Sequence, residues 1–198
     1  MKALILVDIQ NDFVPGGALA VPNGDAVVPV ANELASRFNI VVASQDWHPA
    51  NHSSFASQHP GSSPGDHVEI DGLQQTLWPD HCVQHTPGAE LHSGLAIQNI
   101  DHIVRKGVDR SIDSYSAFFD NARRRATGLA DYLSRKGVDS VTIVGLATDY
   151  CVKFTAIDAV DLGFETILAL SGCRGIDLSE GDVDKAVSEM TEAGVRLA

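Results

Sequence analysis

The chain is poor in cysteine, in basic residues and in long apolar runs, and each shortage removes a class of protein. Only three cysteines occur in 198 residues. They stand at 82, 151 and 173, with no CxxC pair, so no disulfide framework is expected and the thiols should be reduced. Lys and Arg number 14 against 26 Asp and Glu, a formal net charge of −12. Such a surface repels nucleic acid and anionic membranes and favours a small neutral or cationic partner. No apolar stretch approaches a membrane span, and Ala3 to Val7 between Lys2 and Asp8 is too short for a signal peptide. A cytoplasmic location is expected. Internal repeats, low-complexity tracts and linkers are lacking too, and the length suits a single domain over 1–198.

What the chain does contain is an alternation of strand and helix signals. Ala3 to Val7 is a continuous apolar run ending on Asp8, suited to a parallel sheet covered on both faces. Turn residues Pro15, Gly16 and Gly17 follow, and then Val27, Val30, Ala31, Leu34 and Phe38 recur at helical spacing. Ile40 to Ala43 repeats the strand signal and ends in Ser44, Gln45 and Asp46. His102 to Arg105 is a third short strand, ending at Lys106. Thr127 to Lys136 reads as a helix with Thr127 as N-cap and Gly137 as its stop. Ser140 to Gly145 is a fourth strand, followed by a tight turn and a helix with Val152, Phe154, Ile157 and Val160 on one side. Glu165 to Leu170, a last helix carrying Val183, Ala186, Val187 and Met190, and a short strand at Val195 to Leu197 complete the pattern. It predicts an α/β, three-layer fold with a mostly parallel six-stranded sheet and helices on both faces.

In such sheets ligands bind outside the carboxyl ends of the strands, where Asp8, Asp46, Lys106 and the turn before Cys151 all fall. A thiol near a helix N-terminus should have a lowered pKa and act as a nucleophile. Asp8 is placed to take its proton and Lys106 to stabilise charge, a set suited to amide hydrolysis through a thioester. The sharp turn at Leu146-Ala147 and the Cys151 amide would supply oxyanion donors. Asp46 and His48, two apart in an extended segment, point to the same side and would chelate a divalent metal. The long loop region at about 45–95 holds Trp78 and most of the histidines, which marks it as functional. A third metal ligand is expected from it. His81 is the first choice, because Pro79 stiffens its turn, and His52 is the rival, although Pro49 argues against a helical His48–His52 face. His59, His67, His85, His92 and His102 read as polar loop residues.

These residues fall in ordered motifs: Leu6-Val7-Asp8-Ile9-Gln10-Asn11-Asp12-Phe13, Ser44-Gln45-Asp46-Trp47-His48-Pro49, Trp78-Pro79-Asp80-His81-Cys82-Val83, Lys106-Gly107, Asp113 to Phe118, and Gly145 to Val152. Over nearly its whole length the chain resembles the nicotinamidase family of the isochorismatase-like cysteine hydrolases. The resemblance implies strand order 3-2-1-4-5-6 and hydrolysis of nicotinamide to nicotinate and ammonia in pyridine nucleotide (NAD) salvage, with pyrazinamide-like analogues also accepted. It implies Asp8 as base and proton shuttle, Lys106 as charge partner and Cys151 as nucleophile. A cis peptide before Ala147 is implied, the Ala147 amide joining that of Cys151 in the oxyanion hole. Asp46, His48 and His81 would hold one divalent ion, zinc first, with iron or manganese also suited. Phe13 and Trp78 would sandwich the pyridine ring, with Tyr115 lining the pocket. The substrate is thus the expected partner, with no nucleic acid or membrane, and a homo-oligomer is left open. The competing readings are a ureido or carbamoyl amidohydrolase of the same superfamily and a non-catalytic metal-binding thiol sensor. The latter leaves Asp8 and Lys106 without a role.

Overall fold

The apolar run near the N-terminus becomes strand β1 (Lys2–Val7), and its last five residues are buried without alternation. A strand exposed on one face would alternate, so both faces must be covered. They are, in the computed structural model, which describes residues 1–198. The elements that follow are α1 (Val27–Ala35), β2 (Val41–Asp46), β3 (His67–Ile70), β4 (Leu73–Thr76) and β5 (His102–Lys106). Then come α2 (Leu129–Arg135), β6 (Ser140–Leu146), α3 (Lys153–Asp161), β7 (Glu165–Arg174), α4 (Asp182–Glu192) and β8 (Arg196–Leu197). The six-stranded sheet has the order β5-β2-β1-β6-β7-β8. All its pairings are parallel, in agreement with the expected 3-2-1-4-5-6. From β1 the chain moves outward to β2 and β5, then crosses to the other side of β1 for β6. That reversal leaves a crevice at the carboxyl ends of β1, β2, β5 and β6. No helix is long and apolar enough to cross a membrane.

Several local expectations are corrected. The loop after His48 contains an antiparallel hairpin, β3–β4, whose signal is the alternation His67-Val68-Glu69-Ile70 followed by the Asp71-Gly72 turn. The β7 strand continues to Arg174, past the expected end at Leu170. It does so across Gly172, where an added Cβ would lie 2.7 Å from Val144 Cγ1, and with a register shift against β6 between Ile143 and Gly145. The expected face of α3 holds except at Phe154: Val152 is buried and Ile157 and Val160 pack against the core, but Phe154 is 40% exposed. Phe154 lies two residues, about 200° of rotation, from Val152, whereas Thr155, Ala156 and Ala159, three, four and seven residues on, are buried. Thr127 is not the N-cap of α2. Gly128 holds that position at φ 91, and the Thr127 hydroxyl accepts the Leu129 N–H at 3.2 Å from one residue further out.

Candidate active site

Asp8 follows β1 in a left-handed conformation, φ 49, and its side chain is fixed by Ser44 of β2. The Ser44 hydroxyl donates to Asp8 Oδ1 at 2.7 Å, while the Asp8 N–H donates to Ser44 Oγ at 3.2 Å. Lys106 ends β5 and is 1% exposed. Its Nζ lies 2.7 Å from Asp46 Oδ1, 2.7 Å from the Ser114 carbonyl and 3.3 Å from Cys151 Sγ. Asp8 Oδ2 is 2.9 Å from the same nitrogen, so the three hydrogens of the ammonium are shared among four neighbours. Asp8 Oδ2 is a buried acceptor beside the thiol: acceptor atoms of Asp8, Asp46 and Cys151 lie within 4.8 Å of one another.

Burial raises the Asp8 pKa, and the nearby Lys106 offsets only part of this. Burial acts the same way on Asp46, but Lys106 and His48 outweigh it and hold that carboxyl well below the usual range. For Lys106, burial would lower the pKa, but Asp46 and Asp8 raise it well above the ordinary lysine value. The expectation for Cys151 is overturned. Burial pushes the thiol well above its ordinary value, Lys106 opposes this, and Asp8 and Asp46 reinforce it. Desolvation, reinforced by the two buried carboxylates, thus acts in the sense opposite to the expected helix-terminal effect.

Beside this cluster, ligand atoms of Asp46, His48 and His81 converge within 4.8 Å of one another. The His48 Nδ1–H donates to the Gly107 carbonyl at 2.9 Å, and the His81 Nδ1–H donates to the Pro79 carbonyl at 2.7 Å. Carbonyls only accept, so both rings carry a proton on Nδ1, and in the neutral ring a lone pair stands at Nε2; burial would lower the His48 pKa, but Asp46 raises it. His48 Nε2 is buried with no hydrogen-bond partner. It lies 3.4 Å from Asp46 Oδ2, and His81 Nε2 lies 3.8 Å from that oxygen. Two imidazole lone pairs and a carboxylate oxygen facing one point fit a divalent ion. Gly107 permits this approach: it adopts φ +62, and a Cβ there would fall 2.3 Å from His48 Cε1. His52 sits differently. Its Nδ1 meets the Ser54 hydroxyl at 2.7 Å and its Nε2 faces the Ile112 carbonyl at 3.3 Å. Both nitrogens are engaged, and its ring packs 4.3 Å from that of His48.

A small, mostly apolar cavity opens above Cys151. Phe13, Leu19, Trp78, Tyr115, Tyr150 and Ile176 form its walls, with Asp46, His81, Asp113, Ala147 and Cys151 also lining it. The Leu146–Ala147 peptide is cis, and the Ala147 N–H donates to no acceptor within the protein. Tyr150, Leu19, Ile176 and Asp113 were not singled out from sequence. Tyr150 adjoins the candidate nucleophile and could have been, whereas Leu19 and Ile176 carry no signal. Gln10 was also passed over, although its amide brackets Asp46, donating to its carbonyl and accepting its N–H, both at 2.8 Å. His102 opens β5 rather than lying in a loop, and its ring stacks 4.3 Å from Tyr132.

Cleaving a carboxamide requires a nucleophile, a proton carrier and a shaped, water-poor slot, and the fold and this arrangement together define an amidohydrolase. Comparison with known proteins agrees. The isochorismatase domain model matches residues 2–198, and the chain belongs to the isochorismatase family. It is 53% identical to the nicotinamidase of Escherichia coli K12, over 99% of this chain and 93% of that protein. An Acinetobacter baumannii nicotinamidase and pyrazinamidase structure superposes with a TM-score of 0.96 at 48% identity, covering 99% of this chain and 94% of that one. The pyrazinamidase of Pyrococcus horikoshii, solved in complex with zinc, gives a TM-score of 0.81 at 38% identity, covering 100% and 98%.

Proposed function

We propose that the chain is a metal-dependent nicotinamidase that converts nicotinamide to nicotinate and ammonia, acting in pyridine nucleotide salvage in the cytoplasm as one domain. The observation that carries this reading is the aromatic cavity with Cys151 at its floor, beside both the Asp8–Lys106 pair and the Asp46, His48 and His81 lone pairs. The names of the E. coli and Acinetobacter relatives point to the same substrate. Phe13 and Trp78 hold the flat ring between them and Tyr115 closes the side, which suits a neutral aromatic amide. Pyrazinamide-like analogues fit the same slot.

In the first half-reaction the Cys151 thiol passes its proton to Asp8 Oδ2, and Sγ forms a bond to the carboxamide carbon. The amides of Ala147 and Cys151 receive the oxyanion. Asp8 then delivers the proton to the amide nitrogen as the carbon–nitrogen bond breaks, and ammonia leaves a nicotinoyl thioester. In the second half, water attacks the thioester while Asp8 takes its proton; the carbon–sulfur bond breaks and the thiol is restored. Asp8 is suited to both tasks because burial raises its pKa. Lys106 keeps the carboxylate and thiol in register, with its charge divided between Asp8 and Asp46. A divalent ion on Asp46, His48 and His81, zinc in the first instance, would supply an electrophile for the ring nitrogen or for water.

The test is ammonia release from nicotinamide, with and without a chelator. Release that the chelator suppresses is expected. Ammonia from ureido or carbamoyl compounds, with none from nicotinamide, would replace this reading with the related amidohydrolase.

A further inference from the structure

The β3–β4 hairpin stands apart from the main sheet, and the proposed reaction leaves it without a role. Its second strand nevertheless reaches the back of the cavity wall. Gln75 is 7% exposed. Its amide nitrogen lies 3.3 Å from the Tyr115 hydroxyl, 3.2 Å from Asp113 Oδ2 and 2.7 Å from the Thr76 carbonyl. The Trp78 indole N–H, three positions on, donates to the same Tyr115 oxygen at 3.2 Å. A primary amide has two hydrogens, so the Thr76 carbonyl takes one and Asp113 and Tyr115 share the other. The Tyr115 oxygen is thus met by two donors from one short stretch of chain. Gln75 itself is not among the residues that line the cavity.

Tyr115 is also a shared wall. One side of it faces the cavity over Cys151, and the other borders an outer groove of about 820 Å³ formed with Leu73, Gln74 and Phe154. The Phe154 ring stacks on Tyr115 from the groove side at 5.3 Å, and Tyr150 meets it at 5.5 Å. If Tyr115 turned outward, the cavity would open into the groove, and the slot would no longer be limited to an unadorned flat ring. The two donors from Gln75 and Trp78 are what hold its hydroxyl end.

We propose that Gln75 is a positioning residue that pins Tyr115, fixes the width of the aromatic slot, and so restricts the enzyme to unsubstituted six-membered heteroaromatic carboxamides. This rests on the nicotinamidase reading and adds to it a determinant of substrate class outside the cavity. A second connection leads from Gln75 elsewhere. Asp113 Oδ1 accepts the Ser114 N–H at 2.7 Å, and the Ser114 carbonyl holds Lys106. A residue acting by that route would alter the chemical step rather than the choice of ring.

The test compares wild type with Gln75→Leu, which keeps the volume and removes the donors. The substrates are nicotinamide and 5-methylnicotinamide, with melting temperature and metal content as controls. The expected result is a KM for nicotinamide raised about 3- to 10-fold, the worth of one hydrogen bond, with kcat changed by less than about twofold. The ratio of kcat/KM should shift toward the methylated amide by a similar factor. Tyr115→Phe removes the acceptor of both Gln75 and Trp78 and should give at least the same shift even if Gln75→Leu does not fold. The double variant should be no worse than Tyr115→Phe alone. Unchanged KM and selectivity, a fall in kcat at constant KM, or multiplied losses in the double variant would overturn the proposal. Wild type that releases no ammonia from nicotinamide defeats the nicotinamidase reading instead. The slot is then read from equilibrium binding of the two amides by tryptophan fluorescence, where Gln75→Leu must still shift the preference toward the methylated ring.

Discussion

Replacing Lys106 with Met should make folding stability depend on pH in a direction opposite to ordinary acid denaturation. The substitution keeps an unbranched side chain but deletes the ammonium that lies 2.9 Å from Asp8 and 2.7 Å from Asp46. Both carboxyl groups are nearly or fully buried, so they would face each other uncompensated. Breaking a buried ion cluster by removing one partner costs about 3–5 kcal/mol, a large part of the about 5–15 kcal/mol typical of a whole domain. Protonation offers relief. Asp8 is already raised by burial with Lys106 in place, and Asp46 is held down chiefly by Lys106 and His48. Without the ammonium both move up. A carboxyl whose folded pKa exceeds its unfolded value binds extra protons in the folded state, so stability is lost as pH rises through that folded pKa. Urea unfolding of metal-stripped wild type and Lys106→Met, followed by circular dichroism, should show the larger deficit at pH 8 and a smaller one at pH 5. Adding Asp8→Asn to the variant should recover stability at pH 8, although the same change alone weakens wild type. A deficit below about 1 kcal/mol at pH 8, or one equal at both pH values, would refute the argument.

Cys151→Ala should reduce ammonia release from nicotinamide by about 10⁴-fold or more, by analogy with other nucleophile deletions, while melting temperature and metal content survive; retained turnover would remove the thioester. His81→Ala should lower bound metal measured by elemental analysis, and full occupancy in that variant would strike His81 from the ligand set. Because the Cys151 thiol is raised well above its ordinary value, alkylation by iodoacetamide in the free enzyme should be slow at pH 7 and still climbing at pH 9. A plateau reached below pH 7 would mean a resting thiolate. Phe13→Ala should raise KM more than it lowers kcat, and the reverse pattern in steady-state kinetics would place Phe13 outside the ring slot.

The parts legible in the sequence are those where one physical cause dominates. The runs Ala3 to Val7 and Ser140 to Gly145 are apolar on both faces because helices cover both sides, and that pattern has few competing explanations. Once the parallel order is known, the strand ends bring Asp8, Asp46, Lys106 and Cys151 together. What was hidden depends on balances or on chain geometry that periodicity does not encode. The Cys151 pKa is decided by burial and two carboxylates that no local motif reports. Phe154 stands two residues from Val152, about half a turn round α3 from the buried face of Thr155, Ala156 and Ala159, and its apolar character alone gives no sign of that. The β3–β4 hairpin is legible in the alternation of His67 to Ile70 and the Asp71-Gly72 turn, and only its second strand, with Gln74 and Gln75, lacks the pattern. Leu19 and Ile176 reach the cavity only through tertiary folding, one from the loop after β1 and the other from the segment after β7.

Gly107 follows Lys106 directly, and this adjacency ties the two halves of the site together. Lys106 points its ammonium at Asp8 and the thiol, while the next carbonyl orients His48 and the missing Cβ leaves room for its ring. An inserted or deleted residue at this corner would shift the ammonium and the carbonyl in the same event. A change of chain length at Lys106–Gly107 would therefore cost the thiol its ammonium and His48 its anchor together, whereas a side-chain change at His81 would touch the metal alone.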